Sequence, residues 1–487
     1  MSEDTETMIE ARYENALNWI HSTMRFGSKL GLERISRLLE VLGSPHTNMK
    51  FVHVAGTNGK GSVTAMVASV LQQSGYRTGM YISPYLEDYR ERIMINGKKI
   101  PKAKVSDLVE KIKAATEDLV EEGFDHPTEF EINTAMALMY FAEENCDYVS
   151  FEVGLGGRFD ATNVVTPVVS VITTIGYDHM EQLGSTLSQI SFEKAGIIKP
   201  GVPVVTGVCE EEPLAVIKKR ASDLGSPLTI VGKVPFADVT WEEIPCEKRS
   251  SDGVPIPKGA TINVEGPGYS FENVHVPLLG KHQELNAALA IAALKQSRVK
   301  PLRLSVLDDQ KVGSAQTVGG ENLEMLPIAL DEQGVRTGIE RTVWPGRLEI
   351  MHNEPLVILD GAHNPQGAQV LSEFLGELRE RRIICVYGIL GDKSYKEATS
   401  SIVPLCDEVI VTKPQTPRAL DPLVLADEVR RYTEKVWIEE NLDRALELAL
   451  DRASSNDVVM CCGSLYLVGP ARTFLRRKFN IPAYGGN

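Results

Sequence analysis

The sequence predicts a two-domain α/β protein built on largely parallel sheets. Three observations carry that prediction. The chain has 487 residues, whereas single domains usually run to about 100–200. Short β-branched runs alternate with helix-length segments, the pattern of βαβ units. The alternation breaks across a polar, Gly-containing stretch at 300–340 and then resumes. The expected division is therefore an N-terminal unit over 1–297, a linker or insertion over 298–340, and a smaller C-terminal unit over 341–487.

In the N-terminal unit, candidate strands lie at 51–55, 79–82, 148–153, 168–175 and 202–206. Helices are expected between them, as at 62–73 and 134–144. Residues 230–278 are rich in Gly, Pro and Ser with short alternating pieces, which predicts an antiparallel excursion or surface insertion. A strong helix is expected at 285–294. The second series places strands at 356–359, 383–386, 408–411, 436–438 and 457–461.

Composition narrows the partners. With 43% hydrophobic residues the chain can bury sizeable cores. A formal net charge of −15 disfavours nucleic acid and anionic membrane surfaces, which need a basic footprint. A small anionic substrate remains compatible, because local cations and backbone N–H groups can hold one. The acidic start MSEDTETMIEARYENALNWI has no apolar core of the signal-peptide kind, and no apolar run approaches the ~20 residues of a membrane span. Seven cysteines, none in a CxxC pair, read as reduced thiols, so the expected location is cytoplasmic.

The sharpest local signal is Gly56-Thr57-Asn58-Gly59-Lys60-Gly61-Ser62, between the run FVHVA and a helix. Amides of a Gly-rich turn cradle phosphate oxygens, and a helix N-terminus adds positive potential. Lys60 is placed to reach the β/γ-phosphates, and a Ser hydroxyl nearby suits Mg²⁺. Gly61 between Lys60 and Ser62 departs from the usual GxxxxGK[ST] spacing. In open α/β sheets, ligands collect beyond the carboxyl ends of the strands. Ser83, Glu152, Asp178 and His179 all fall at such ends, and hydroxyl, carboxylate and imidazole are plausible ligands of Mg²⁺ or Mn²⁺. Singly, each has a plainer reading: a turn for Ser83, a helix cap for Asp178, a structural role for His179.

With these residues on the page, the chain resembles a known family. HVAGTNGKGS (53–62), SPYLEDYRERI (83–93), TEFEINTA (128–135), EVGLGGRFDATN (152–163), YDHMEQLG (177–184) and EKAGIIKPG (193–201) are similar to the signature blocks of folylpolyglutamate synthases/dihydrofolate synthases. LLGKHQELNAALA (278–290), WPGRLE (344–349), LDGAHNPQGA (359–368) and CGSLYLVG (462–469) continue the series in order. Tyr85, where the family usually has His, and Glu129, where an apolar or aromatic residue is common, depart from it.

The resemblance, to a branch of the Mur ligase superfamily, implies a P-loop-type N-terminal ATPase domain, a smaller Rossmann-like C-terminal domain and an active site in the cleft between them. It implies ATP-dependent addition of L-glutamate to a folate-type carboxylate through an acyl phosphate, giving ADP and phosphate, by a chain that acts as a monomer. By the same resemblance Thr57, Asn58, Gly59, Lys60, Gly61, Ser62, Asn286, Arg347 and Asp360 contact ATP. Ser83, Glu152 and His179 bind one or two Mg²⁺ ions, and Lys194 matches a lysine carbamylated by CO₂ that helps hold the second. Phe130, Asp160, Ala161 and Arg92 are the candidates on the pterin side; Ser464 lies on the glutamate side. Lys60, Lys194, His179, Asp360 and His363 make up the expected catalytic set. Two other readings stand beside this one: a Mur-type ligase for a different carboxylate, and a nucleotide-binding regulatory protein.

Overall fold

The structure, a computed structural model, describes residues 3–27, 31–232, 259–299, 326–327 and 330–483. The N-terminal unit begins with helices α1 (Glu3–Ser22) and α2 (Glu33–Val41), followed by strand β1 (Lys50–Ala55) and helix α3 (Lys60–Gln73). Then come β2 (Thr78–Tyr81), β3 (Ile93–Ile95), β4 (Lys98–Lys99), α4 (Lys102–Glu121), α5 (Glu129–Glu143) and β5 (Tyr148–Glu152). Next are β6 (Val169–Ile172), α6 (Met180–Leu183), α7 (Leu187–Ala195), β7 (Val204–Thr206), α8 (Glu211–Asp223) and β8 (Leu228–Ile230). The unit continues with β9 (Ala260–Gly266), β10 (Tyr269–Val276), α9 (His282–Gln296), β11 (Arg298–Val299), β12 (Leu326–Pro327) and α10 (Glu332–Glu340).

Eight strands form one sheet in the order β4-β3-β2-β5-β1-β6-β7-β8. From β2 to β8 they run parallel; β3 and β4 make an antiparallel edge. Helices cover both faces, so the central strands read as near-continuous apolar runs. Phe51 and Phe151 pack with α1, α2, α4 and α5 on one face. Val52 and Val54 pack under α3 and α9 on the other.

Two local departures from the sequence reading have clear causes. The expected strand 168–175 stops at Ile172, because Thr173 and Thr174 spend their hydroxyls on Asn58 O, at 2.6 and 3.2 Å, and so shape the neighbouring loop. The helix expected at 134–144 starts at Glu129, where Thr128 and Glu131 form a reciprocal capping box. The described part of 230–278 from 259 onward is an antiparallel hairpin, β9 with β10, while 233–258 lies outside the described residues.

The stretch 298–340 is more than a connection. Its last part, α10, packs on α3 with Val335 and Ile339 buried, and Ser69 Oγ donates to Gly338 O at 2.6 Å. Residues 300–325 and 328–329 lie outside the described set.

The C-terminal unit carries β13 (Glu349–Asn353), β14 (Leu356–Asp360), α11 (Pro365–Glu377), β15 (Ile383–Tyr387), α12 (Tyr395–Ile402) and β16 (Glu408–Val411). It ends with α13 (Pro422–Val429), β17 (Val436–Ile438), α14 (Leu442–Arg452), β18 (Val458–Cys462) and α15 (Leu465–Phe479). The sheet order is β13-β14-β18-β15-β16-β17, parallel except for β13. Helices again cover both faces: α11, α12 and α13 on one, α14 and α15 on the other. The antiparallel edge strand β13 has no counterpart in the sequence reading, because its half-exposed residues lack an apolar run. Among the described residues no helix is long and apolar enough to cross a membrane, and the six described cysteines are unbridged.

Candidate functional site

The carboxyl ends of the two sheets face each other, and two adjoining cavities lie between them. The larger, of about 530 Å³, is lined by Gly56–Ser62, Glu152, Lys194, Asn286, Arg347 and Asp360. The second, of about 450 Å³, is lined by Arg92, Phe130, Asp160, Ala161, Lys393 and Ser464, among others. They meet at Ser83, Gly154, His179, His363 and Leu465, which border both.

The Gly56–Ser62 loop owes its shape to the segment after β6 and to α9. Gly59, at φ +84°, caps α3 in the left-handed region, and a Cβ there would sit 2.5 Å from Asn286 Oδ1. Only glycine lets the loop pass this close to α9. Thr57 N donates to Thr174 O at 2.8 Å, and Asn58 N to Thr174 Oγ1 at 3.1 Å. Those two amides are thus spent on loop shape. The N–H groups of Lys60, Gly61 and Ser62 open α3 and have no intrahelical partner, which leaves them for an anion. Lys60 Nζ folds back over the loop, donating to Gly56 O and Thr57 O at 3.1 and 3.2 Å. The Asn58 side chain reaches across the cleft instead: it exchanges amide hydrogen bonds with Asn364 at 3.3 and 3.0 Å and donates to Gln366 Oε1 at 3.2 Å.

Glu152 ends β5 and is buried, accepting a hydrogen bond from Ser83 N at 3.1 Å. Burial raises its pKa to about 7, against the opposing pull of Lys60. Such a carboxylate gains its charge cheaply only beside a cation. Among the described residues, no three His, Cys, Asp or Glu side chains converge as a metal cage. Glu152 with the Ser83 hydroxyl offers the hard-oxygen pair that Mg²⁺ uses when substrate phosphates and water complete its shell. The donor set therefore fits a phosphate-bound divalent ion.

Lys194, near the end of α7, is buried beside the loop and donates from Nζ to Gly56 O at 2.9 Å. Burial first, then the Lys60 charge, lowers its pKa to about 7. His179 stands between the cavities in the left-handed region, at φ 51°. Its Nε2 lies 3.3 Å from Lys393 Nζ, and burial lowers its pKa to about 4, so the ring is neutral at pH 7.

The C-terminal residues meet these from the opposite side. Asp360 ends β14 and accepts from Leu348 N at 2.9 Å and Ala362 N at 2.8 Å, which fixes the turn that carries Arg347. Burial raises the Asp360 pKa, opposed first by Arg347. His363 Nδ1 lies 2.7 Å from Gly361 O, so the proton belongs on Nδ1 and Nε2 keeps its lone pair. Burial, then Lys393, lowers its pKa to about 4. Ser464 caps α15, accepting from Tyr466 N at 3.2 Å.

The pterin-side candidates divide. Phe130 covers Gly154, where a Cβ would sit 2.4 Å from its ring, and faces the second cavity. Arg92 lies over the Tyr85 and Tyr89 rings at 5.1 and 5.9 Å, and its buried Nε has no hydrogen-bond partner among the described residues. Asp160 accepts from Leu155 N at 2.8 Å and Thr162 N at 3.0 Å, so its carboxylate chiefly holds the GLGGRFDATN turn, and Ala161 lies buried beside it.

Sequence reasoning missed Asp178–Lys393, which joins the units at 2.7 Å. Burial alone would raise the Asp178 carboxyl, but Lys393, then His179, hold it well below the carboxylate range. It missed Arg418 too, which borders the second cavity and pairs with Asp392. Both cations sit in loops just after β15 and β16, so the strand-end rule could have found them.

Family models match both halves: the Mur ligase middle domain over residues 54–294 and the Mur ligase glutamate ligase domain over 346–465. The chain is 36% identical over 466 residues to the dihydrofolate synthase/folylpolyglutamate synthase of Bacillus subtilis, covering 95% of this chain and 99% of the relative. It belongs to the folylpolyglutamate synthase/dihydrofolate synthase family. Membership makes it an ATP-dependent amide ligase with the family's two-unit α/β architecture. Its fold is similar to Mycobacterium tuberculosis folylpolyglutamate synthase complexed with ADP and AMPPCP, at TM-score 0.79 and 29% identity, covering 95% of this chain and 99% of that one. It is similar as well to the bifunctional Yersinia pestis synthase complexed with AMPPNP and a Mn ion, at TM-score 0.77 and 28% identity, with 95% and 98% covered. The segment Gly56–Ser62 lies within the matched middle domain, and Asp360, His363 and Ser464 lie within the matched glutamate ligase domain.

Proposed function

We propose that the protein joins L-glutamate to a folate-type carboxylate, with ATP and Mg²⁺, by way of an acyl phosphate. The observation that carries this reading is the meeting of two cavities at Ser83, His179 and His363, one walled by the phosphate loop and the other by Phe130, Arg92 and Lys393. A carboxylate is a poor electrophile until phosphorylated. The transfer needs ATP and acceptor end to end, and their junction needs water kept out.

In this reading the larger cavity holds ATP. The amides of Lys60, Gly61 and Ser62 and the Lys60 ammonium bind the phosphates, and Asn286, Arg347 and Asp360 flank the nucleotide. Bound at Glu152 and Ser83, Mg²⁺ would neutralise phosphate charge during transfer. Lys194, with its amine neutral near pH 7, is chemically ready to take up CO₂ as a carbamate, which would turn a cation into an oxygen ligand. The acceptor's ring end enters the second cavity against Phe130 and Ala161, and its carboxylate points to the junction. Lys393, Arg418 and Ser464 supply cations and a hydroxyl for the carboxylates of glutamate. Its amine attacks the acyl phosphate, the C–N bond forms as the C–O bond to phosphate breaks, and the amine proton leaves toward the Nε2 lone pair of His363 or a water. The site lies between the N-terminal and C-terminal units of one chain, so a monomer suffices, and the cytoplasm supplies all three substrates.

Purified protein should release phosphate from ATP only when glutamate and a pteroate-type or folate-type acceptor are both present. Dihydropteroate and tetrahydrofolate, tried separately, reveal which of the two family reactions it performs. Turnover with a cell-wall nucleotide peptide and none with either pterin would reject the folate reading. ATP hydrolysis indifferent to glutamate would reject ligation itself.

A further inference from the structure

The loop between β2 and β3 borders the second cavity through Ser83, Pro84 and Arg92, and it is gripped by the opposite unit. Glu87, in this loop, is largely covered by α15. It pairs with Arg472, accepts from Thr473 Oγ1 at 2.7 Å and receives Arg476 Nη1 at 3.1 and 3.2 Å. Arg472 is shared: its Nε also donates to Glu349, at 3.0 and 2.9 Å. Glu349 in turn accepts from Gly346 N at 2.8 Å, in the turn that presents Arg347. Two carboxylates and two guanidiniums thus form one balanced, mostly buried cluster. Beside it Gly469 lets Leu86 O lie on the helix; a Cβ there would sit 1.9 Å from that oxygen.

The loop also has hydrogen bonds of its own. Glu91 accepts from Leu86 N, Glu87 N and Asp88 N at 2.8, 3.2 and 3.1 Å, and Asp88 caps the following turn with Arg90. What the cluster adds is placement. If the units part, Arg472 can keep Glu349, which shares its unit, but Glu87 loses both arginines. The helix that grips Glu87 is also the one capped by Ser464, two turns away.

We propose that Glu87, Arg472 and Glu349 form an interdomain latch. The latch positions the 83–92 loop over the acceptor only when the C-terminal unit is closed, and so couples the glutamate side to the acceptor side. This rests on reading the second cavity as the acceptor site. Glu87, Arg472 and Glu349 are positioning residues; none borders either cavity.

Glu87→Ala and Gly469→Ala test the latch by independent means. The first removes the charge; the second keeps every charge, adds a methyl against Leu86 O and raises helix propensity. Each variant should raise the KM for the pterin acceptor by at least about fivefold, a typical coupling between sites, with ADP affinity unchanged. A merely structural contact predicts instead that Gly469→Ala leaves the acceptor KM alone. Acceptor KM values within about twofold of the parent in both variants would overturn the latch. Hydrogen exchange of residues 83–93 with ADP and glutamate bound gives a second readout. It should be slow in the parent and fast in Glu87→Ala, and equal rates overturn the latch. If the parent turns over no pterin acceptor at all, the functional reading fails, and the exchange comparison alone decides the latch.

Discussion

Lys194 and Glu152 show how burial prepares chemistry one side chain at a time. Each is held near neutrality, Lys194 from above and Glu152 from below, with both at about 7. For a lysine, that means an amine available for CO₂ at physiological pH, where an exposed lysine is almost wholly protonated. Lys194→Ala should therefore lose about 10–100-fold in ligation, the range typical of a disturbed metal site. Formate or acetate should recover part of that loss by standing in for the carbamate. The parent's dependence on added CO₂ should steepen below pH 7, where the neutral fraction falls. A variant that added carboxylates do not improve, paired with a parent indifferent to CO₂, would leave Lys194 as a plain cation beside the loop.

At the scale of the element, the C-terminal sheet shows an electrostatic device unrelated to catalysis. Glu408 opens β16 and accepts from Arg452 Nε at 2.8 Å and Arg382 Nη2 at 2.7 Å. Arg452 above all, then Arg382, hold its pKa at about 2, below its ordinary 4.5. A depressed carboxylate contributes stability that is full above 4.5 and is lost as pH falls toward 2. Glu408→Gln should thus unfold more readily than the parent at pH 7, by about 1–2 kcal/mol given the partial exposure of both arginines. The gap should shrink through the window between 4.5 and 2. Chemical denaturation at pH 7 and pH 3 measures it, and a gap that does not change with pH would assign the loss to packing.

For the whole molecule, the boundary of the N-terminal unit decides what can fold alone. A chain cut at 297 lacks α10, and the α3 surface that includes Val70 loses its cover; a Cβ on Gly338 would sit 2.4 Å from Val70 Cα. A chain cut at 342 keeps that contact. The longer fragment should melt higher than the shorter one, because burying the α10 apolar face contributes about 1.5–3 kcal/mol per large side chain. Neither should ligate glutamate, since Arg347, Asp360 and His363 lie beyond both cuts. A fragment ending at 297 that melts as high as the longer one would show that α10 is an accessory. Ligation by either fragment would remove the C-terminal unit from the chemistry.

How much of this was legible in the sequence depends on the range of the interaction involved. The alternation of strands and helices was, because a strand buried on both faces needs an apolar run wherever it sits. The Gly-rich segment was too, since its glycines, Lys60 and Ser62 are contiguous; its shape was not, because Thr174 and Asn286, far along the chain, set it. Thr128 with Glu131 was equally local yet passed unread, since the capping box was hidden inside a stronger apolar signal. Asp178–Lys393, Asn58–Asn364 and Glu87–Arg472 join residues 215, 306 and 385 positions apart, and no local pattern marks either partner. By itself the sequence determined which residues could bind phosphate and which segments could form the sheets. Only the tertiary structure decided which charges face each other across the cleft, because a buried ion pair depends on how two folded surfaces meet and not on the chain between them.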